Sequence, residues 1–475
     1  MKEKQMPLVE ALFEYIKKDI TRYHMPGHKG GQGFSSEILD NLAQIDVTEV
    51  PGLDNLHSPQ GAIYDAQRLA SKAFGSDQTW FLVNGSTSGI HAMILAACPP
   101  GSSLIVPRNC HKSVVNALII GDISPVYILP KYDKDRELVT QVSPQAIEEA
   151  LGRNPNVQGV LLVSPNYYGM CPSVEEIAHI VHRAGKVLLV DEAHGAHFPF
   201  NPRLPSSAGQ LGADLWVHSA HKTLPSFTQT AYLHLKGNRV DKDRVSRILS
   251  MNQTSSPSYI FMASLDWARY VMDTKGHDLL YNLMDNLENV RHQLKEMGID
   301  NISKSIWPEV RALDPTRLVL DFKGLGLTGY QAEKILRDEE GLQLEMSDHG
   351  YGVLICTVAD TRSDLQKIVQ ACQNLWEKHR KNVNIHFPMS ISREIPKQMM
   401  SPRQAFYSKI QKIPLKESQG RIAAGTIGAY PPGIPRYCPG ELIEKDGIEE
   451  LISIHKKGGT LFGVDQGNYI DVVEE

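Results

Sequence analysis

Two residues stand out for the chemistry they could share. Asp191 closes the apolar run Lys186-Val187-Leu188-Leu189-Val190-Asp191, and Lys222 follows 31 residues later in Val217-His218-Ser219-Ala220-His221-Lys222-Thr223. A carboxylate at the C-terminal end of one buried strand and a lysine just past the next suit pyridoxal phosphate. The lysine would carry the coenzyme as a Schiff base, and the aspartate would keep the pyridine nitrogen protonated. Two unit charges about 4 Å apart in an effective dielectric of about 20 interact by about 4 kcal/mol, or about three pK units. Desolvation takes part of that back, but the remainder can hold a pyridinium at neutral pH. The charged ring is then an electron sink.

Other residues fit the same coenzyme. Asn84-Gly85-Ser86-Thr87-Ser88-Gly89 falls between a strand pattern and a helix pattern. Hydroxyls and free backbone N–H groups at a helix N-terminus bind phosphate, with Ser86 and Thr87 as the contacts; a plain cap and turn is the alternative. Ser219 can add a hydroxyl to the same phosphate. His111, in Arg108-Asn109-Cys110-His111-Lys112-Ser113, can stack on the ring or merely cap the helix that follows. Ala193 repeats the strand face of Asp191 and is small enough for a flat ring to lie against. His194 and His221 sit near the same centre and can relay protons or orient neighbours.

These residues need a frame that brings strand ends together. Short, wholly apolar strands are expected at 79–83, 103–107, 125–129, 160–164, 187–191 and 215–218. Helices are expected between them at 88–97, 112–120, 144–151 and 174–184. That alternation predicts an α/β protein with a mainly parallel sheet covered on both faces. A short helix is expected over 8–20 and a long one over 278–297. A second α/β unit follows, with strands at 317–322 and 352–358 and helices at 329–338 and 363–378. The proline-rich Tyr430-Pro431-Pro432-Gly433-Ile434-Pro435 cannot be a helix and reads as a rigid turn or loop. The expected division is an N-terminal helix and arm (1–60), a coenzyme-binding large domain (61–300), a small α/β domain (301–385) and a C-terminal α+β domain (386–475).

Composition excludes several classes. With 49 Lys and Arg against 54 Asp and Glu, the chain has no polycationic footprint for nucleic acid. The six cysteines are scattered without a Cys-x-x-Cys pair, which suggests neither a zinc site nor a disulfide framework and fits a reducing cytoplasm. No apolar run reaches membrane-spanning length, and the N-terminus lacks a secretory core. Two motifs are decoys. Asp191-Glu192-Ala193-His194 spells a helicase box, but no phosphate loop of the required kind precedes it. Gly324-Leu325-Gly326-Leu327-Thr328-Gly329 matches a dinucleotide fingerprint, yet too few βα units follow, and it reads as a tight turn.

Taken in order, the motifs resemble the bacterial ornithine/lysine/arginine decarboxylases, pyridoxal-phosphate enzymes of the aspartate-aminotransferase fold (type I). The matching stretches begin with His24-x-Pro26-Gly27-His28-Lys29, Leu53-Asp54-x-Leu56-His57-x-Pro59 and Val83–Thr87. Arg108–Ser113, Asp191–Gly195 and Ser219–Lys222 follow, then Ser255–Tyr259, Tyr430–Pro435 and Pro439-Gly440-Glu441. The resemblance implies Lys222 on the coenzyme, Asp191 at the pyridinium and His111 stacked on the ring. It places the phosphate on Ser86, Thr87 and Ser219, with Thr254 or Ser255 reaching in from a second subunit. A homodimer or higher oligomer with interfacial active sites follows from that. The chain is most similar to the short Gram-positive-type members without the N-terminal wing domain, and Asn166 stands where threonine is more usual. The implied reaction is α-decarboxylation of arginine, lysine or ornithine to the corresponding polyamine-pathway amine. Lys222 or His221 would return a proton to Cα, and Glu345 would meet the substrate's distal cation. Transamination or aldol-type cleavage on the same fold, or a non-catalytic coenzyme-binding regulator, are the rival readings.

Overall fold

Seven short strands form the central sheet: β1 (Gln78–Leu82), β2 (Ser103–Pro107), β3 (Ser124–Ile128), β4 (Gly159–Val163), β5 (Val187–Asp191), β6 (Leu215–His218) and β7 (Ala231–Leu235). The computed structural model describes residues 6–299, 302, 306–380, 394–430 and 434–474. The strand order is β1-β7-β6-β5-β4-β2-β3, parallel throughout except for β7, which runs against both neighbours. The sequence reading stops at β6. β7 adds an antiparallel strand whose His234 interrupts the apolar run that would mark it.

Alternation along each strand divides the interior. Leu104, Val106, Leu161, Leu189, Leu215, Val217 and Leu233 pack with Ile90, Met93 and Ile94 of the helix Gly85–Ala97. Ile105, Val160, Leu162, Leu188, Val190 and Trp216 face the other way, against Ile147, Leu151, Ile177 and Val181. Period-two placement therefore puts Asp191 on the Leu189 side and Glu192 on the opposite side. Gly89 lets the helix sit close to the sheet, because a Cβ there would meet Leu82 Cδ1 and Val217 Cγ2 at 2.7 Å each.

The other elements support this sheet. The first helix spans Pro7–Ile16, shorter than its apolar spacing predicts, because Asp19 turns the chain with φ 48° before the strand Thr21–Tyr23. That strand pairs in parallel with Leu342–Leu344. The long helix starts at Tyr259 and ends at Glu296, well ahead of its expected start. The polar stretch Asp273-Thr274-Lys275-Gly276-His277-Asp278 hides its continuity in the sequence. Strands Arg317–Asp321 and Tyr351–Ile355 pair antiparallel, flanked by helices Gly329–Asp338 and Arg362–His379. The glycine-rich stretch before Gly329 is the expected turn, with Gly326 at φ 67°. Farther on, strands Ile427–Tyr430 and Ile434–Tyr437 pair antiparallel, while residues 431–433 of the expected proline turn lie outside the described residues. Strand and helix side chains between Ile413 and Val472 form a separate buried cluster. Among the described residues no helix is long and apolar enough to cross a membrane, and no group of His, Cys, Asp and Glu could hold a metal ion.

Candidate active site

The C-terminal ends of β1, β2, β4, β5 and β6 open onto one cavity, as parallel α/β sheets commonly arrange. Ser86, Asn109, His111, Asn166, Tyr167, Asp191, Ala193, His194 and Lys222 line it, with Ile90, Val139 and Val163 as apolar wall. Strand ends adjacent in the sheet thus unite residues far apart in sequence.

Lys222 lies in the short helix Ala220–Thr223 directly after β6. Its Nζ is 3.0 Å from His194 Nε2 and 5.7 Å from the centre of the Tyr167 ring. Burial pushes the Lys222 amine below its ordinary range, against the pull of Asp191 and Glu345. Asp191 is buried, and its Oδ1 accepts from the Ala193 N–H at 3.1 Å. Burial raises its carboxyl, with Lys222 opposing. A carboxylate at that depth is stabilised by a cation brought against it.

His111 caps the helix Lys112–Gly121 and also lines the cavity. Its Nδ1 accepts from the Ser113 N–H at 3.2 Å, so the neutral ring carries its proton on Nε2. Burial, reinforced by Lys222, lowers His111 to about 4. The two sequence alternatives therefore hold together: His111 caps a helix and faces the cavity.

The helix Gly85–Ala97 begins with Gly85 at φ 72°, and Asn84 gives it no side-chain cap. Gly85 N–H is spent on the Gln229 carbonyl at 2.8 Å, and the N–H groups that follow it belong to the open first turn, where an anion can meet them. Ser219 Oγ donates to Ser86 Oγ at 2.7 Å, which brings two hydroxyls together there. Thr87 is exposed beside them and does not line the cavity. The residues present fit pyridoxal phosphate: an uncapped helix end with hydroxyls, a buried acid, an imidazole and a small alanine on one cavity, and a half-buried amine.

Other expected residues lie elsewhere. His221 does not line the cavity; its Nδ1 is 3.0 Å from the Thr230 carbonyl, and burial lowers it to about 4. Thr254 and Ser255 are exposed and do not line the cavity, with the Thr254 carbonyl 2.8 Å from His57 Nε2. Glu345 Oε2 accepts from the Met25 N–H at 2.9 Å, and Glu345 does not line the cavity either. Asn166 spends its amide on the backbone, accepting from Tyr168 and Met170 N–H and donating to the Thr140 carbonyl.

Several contacts at the site escape sequence reasoning. Tyr167 packs its ring 4.6 Å from that of His194. Arg317, a charged residue opening an apolar strand, places Nη2 2.9 Å from His194 Nδ1. Arg108 grips Glu441 with both terminal nitrogens, at 2.8 and 2.6 Å, and so joins the loop before His111 to the C-terminal region. The loop of His24–Lys29 packs on the Lys222 helix. Gly27 N–H donates to the His221 carbonyl at 2.7 Å, and a Cβ at Gly27 would strike the Leu224 carbonyl oxygen at 2.7 Å. A second cavity of about 390 Å³ shares Asn109, Val139, Tyr168 and Ile434 with the first.

Residues 6–364 match the family model for the Orn/Lys/Arg decarboxylase major domain, and residues 387–462 match that family's C-terminal domain. An arginine decarboxylase of Bacillus subtilis is 37% identical over 95% of this chain and 94% of its own length. A lysine decarboxylase of Pseudomonas aeruginosa is 23% identical, covering 92% of this chain and 73% of the relative. The solved lysine decarboxylase of Francisella novicida has a TM-score of 0.77 at 20% identity, over 98% of this chain and 81% of that one; it shares the fold.

Proposed function

The chain belongs to the Orn/Lys/Arg decarboxylase family, and we propose that it removes the α-carboxylate of a basic L-amino acid, arginine foremost, using pyridoxal phosphate. The observation that carries this is the meeting of Lys222, Asp191, His111 and Ser86 on one cavity. Arginine leads because relatives at 36–37% identity with a substrate in their names are arginine decarboxylases.

When bound, the coenzyme supplies a protonated pyridine that accepts the electron pair left behind as CO₂ departs. The chain's own residues prepare for that. Lys222 would offer the amine that holds the coenzyme. Asp191 would keep the proton on the ring nitrogen, and the buried setting would strengthen that pairing. His111 and Ala193 would flank the ring, and Ser86, Thr87 and Ser219 would hold the phosphate. Ile90, Val139, Val163 and Tyr167 keep water from the reacting carbon. Lys222 returns the proton to Cα; His221 is the second candidate.

None of the described residues lining the inner cavity is an arginine able to grip an α-carboxylate, which favours decarboxylation over transamination. The second cavity supports a place for a long cationic side chain. Asp348 borders it, held by the Tyr168 hydroxyl at 2.5 Å, and Tyr168 lines both cavities. Glu345, whose charge is felt at Lys222, is the other acid proposed for substrate recognition.

A homodimer, with Thr254 or Ser255 of one protomer reaching its partner's phosphate site, belongs to the same proposal. It is supported by the first helix, which leaves Leu8, Leu12, Phe13 and Ile16 more than half exposed. The division at about residues 60, 300 and 385 is proposed likewise, the separate C-terminal core supporting its last boundary. Six buried free cysteines support a cytoplasmic setting.

The test is mass spectrometry of products from an equimolar mixture of arginine, lysine and ornithine. Agmatine should dominate cadaverine and putrescine. Keto-acid products without CO₂ would replace the assignment with a transaminase. A yellow protein that turns over none of the three would favour a regulator.

A further inference from the structure

Arg317 approaches the active site from behind. It opens the strand Arg317–Asp321, is 2% exposed and does not line the cavity. Its Nη2 lies 2.9 Å from His194 Nδ1 and 3.5 Å from the His194 carbonyl oxygen. Its charge is balanced by Asp314, whose Oδ2 is 4.0 Å from Arg317 Nε, beyond hydrogen-bond reach. Asp314 is in turn held by the Thr316 N–H at 2.8 Å and hydroxyl at 2.7 Å, and by His197 at 3.2 Å.

The direction of these hydrogen bonds has a chemical consequence. A guanidinium has donors and no acceptor, so His194 Nδ1 must accept. The neutral imidazole then carries its proton on Nε2, and Nε2 is 3.0 Å from Lys222 Nζ. An ammonium at Lys222 would set N–H against N–H. The hydrogen bond requires a lone pair on Nζ.

We infer that Arg317 is a positioning residue: by fixing His194 as its Nε2–H tautomer, it holds Lys222 as the neutral, nucleophilic amine. The need for such a device is visible in what surrounds Lys222. Asp191 and Glu345 pull it toward the ammonium; Arg317 pushes the other way. The remaining titratable neighbours, His111, His194 and His221, are all held neutral at pH 7 by burial. Arg317 thus acts on Lys222 both through space and through the imidazole between them. The inference rests on Lys222 being the coenzyme-bearing lysine and is independent of which amino acid is decarboxylated.

The experiment uses the intact chain stripped of coenzyme and measures acetylation of Lys222 by acetic anhydride against pH, by peptide mass spectrometry. Arg317→Gln and His194→Phe should each slow labelling at pH 7.5 by about tenfold, a rise of about one unit in the midpoint. The double variant should be slower than the worse single but by clearly less than the product of the two effects, because the path through the imidazole is shared. Fully additive effects would overturn the inference, leaving Arg317 as a through-space charge only. Nitrogen-15 NMR of histidine-labelled wild-type protein gives a check that needs no variant. His194 should show a protonated Nε2 and an unprotonated Nδ1; the reverse tautomer overturns the proposal. Circular dichroism separates either result from misfolding. Absence of turnover on basic amino acids would sink the decarboxylase reading without altering these amine and imidazole readouts.

Discussion

Asp191 and Glu192 are chain neighbours that point to opposite faces of the sheet, Asp191 to the cavity and Glu192 into a closed polar network. Behind the sheet, Glu192 Oε2 accepts from the Ser207 hydroxyl at 2.6 Å and His218 Nε2 at 2.7 Å, and Oε1 accepts from Ala208 N–H at 2.8 Å. His234 Nε2 follows at 3.0 Å from His218 Nδ1, and Thr79 Oγ1 at 2.8 Å from His234 Nδ1. With neutral imidazoles the chain of donors runs in one direction and ends on the carboxylate. None of these side-chain atoms is left without a partner.

Beside the cavity, the series runs from the half-buried Lys222 through the buried His194, Arg317, Asp314 and His197, and it is incompletely paired. Arg317 Nε and Nη1, Asp314 Oδ2 and His197 Nδ1 lack hydrogen-bond partners. A saturated network specifies structure, whereas an unsaturated one beside a cavity keeps free energy available for binding and chemistry. The helicase-like spelling Asp191–His194 thus spans two surroundings: alternation sends Asp191 and Glu192 to opposite sides, and the turn after the strand brings His194 back to the cavity that Asp191 lines.

That contrast can be broken experimentally. The largest effect should come from Lys222→Ala, which should abolish both turnover and the visible absorbance of the coenzyme-bound protein while leaving circular dichroism intact. Retained turnover would remove Lys222 from its role. Glu192→Gln should do the opposite. It places an amide donor against existing donors and should cost roughly 1–3 kcal/mol in urea unfolding, with turnover per folded molecule preserved. Unchanged stability with lost turnover would erase the distinction between the two networks.

The smallest effect concerns pH. Burial lowers His28, His111, His221 and His349 to about 4 from 6.5, and holds His194 and His234 well below 6.5. The unfolded chain takes up these protons near pH 6.5 and the folded chain does not. Their contribution is therefore full above 6.5 and falls as the pH drops toward 4. Asp360, raised to about 6 by burial, binds its proton in the folded state and blunts the loss below that pH. The melting temperature should accordingly fall between pH 7.5 and 6. A melting temperature that stays level or rises over that interval would contradict these histidine environments.

Much of the large sheet was legible because its strands are short apolar runs bounded by turns. Strands Ser103–Pro107, Val187–Asp191 and Leu215–His218 occupy the residues expected of them. The long helix was legible only in its second half, and β7 not at all, since polar residues interrupt their apolar patterns. Arg317 shows why part of the site stayed hidden. Nothing near it in sequence says which histidine it will meet, and its partner is 123 residues away.

By itself the sequence determined the chemistry on offer: a lysine and an acid at neighbouring strand ends, hydroxyls at a helix start, and the strand-and-helix rhythm that carries them. Those follow from local periodicity and from the nature of the side chains. Only the tertiary structure decided which polar groups face each other across the interior, which imidazole nitrogen is forced to accept, and which acids are already satisfied. Hydrogen bonds are short and directional, so their pairing depends on how separate elements pack.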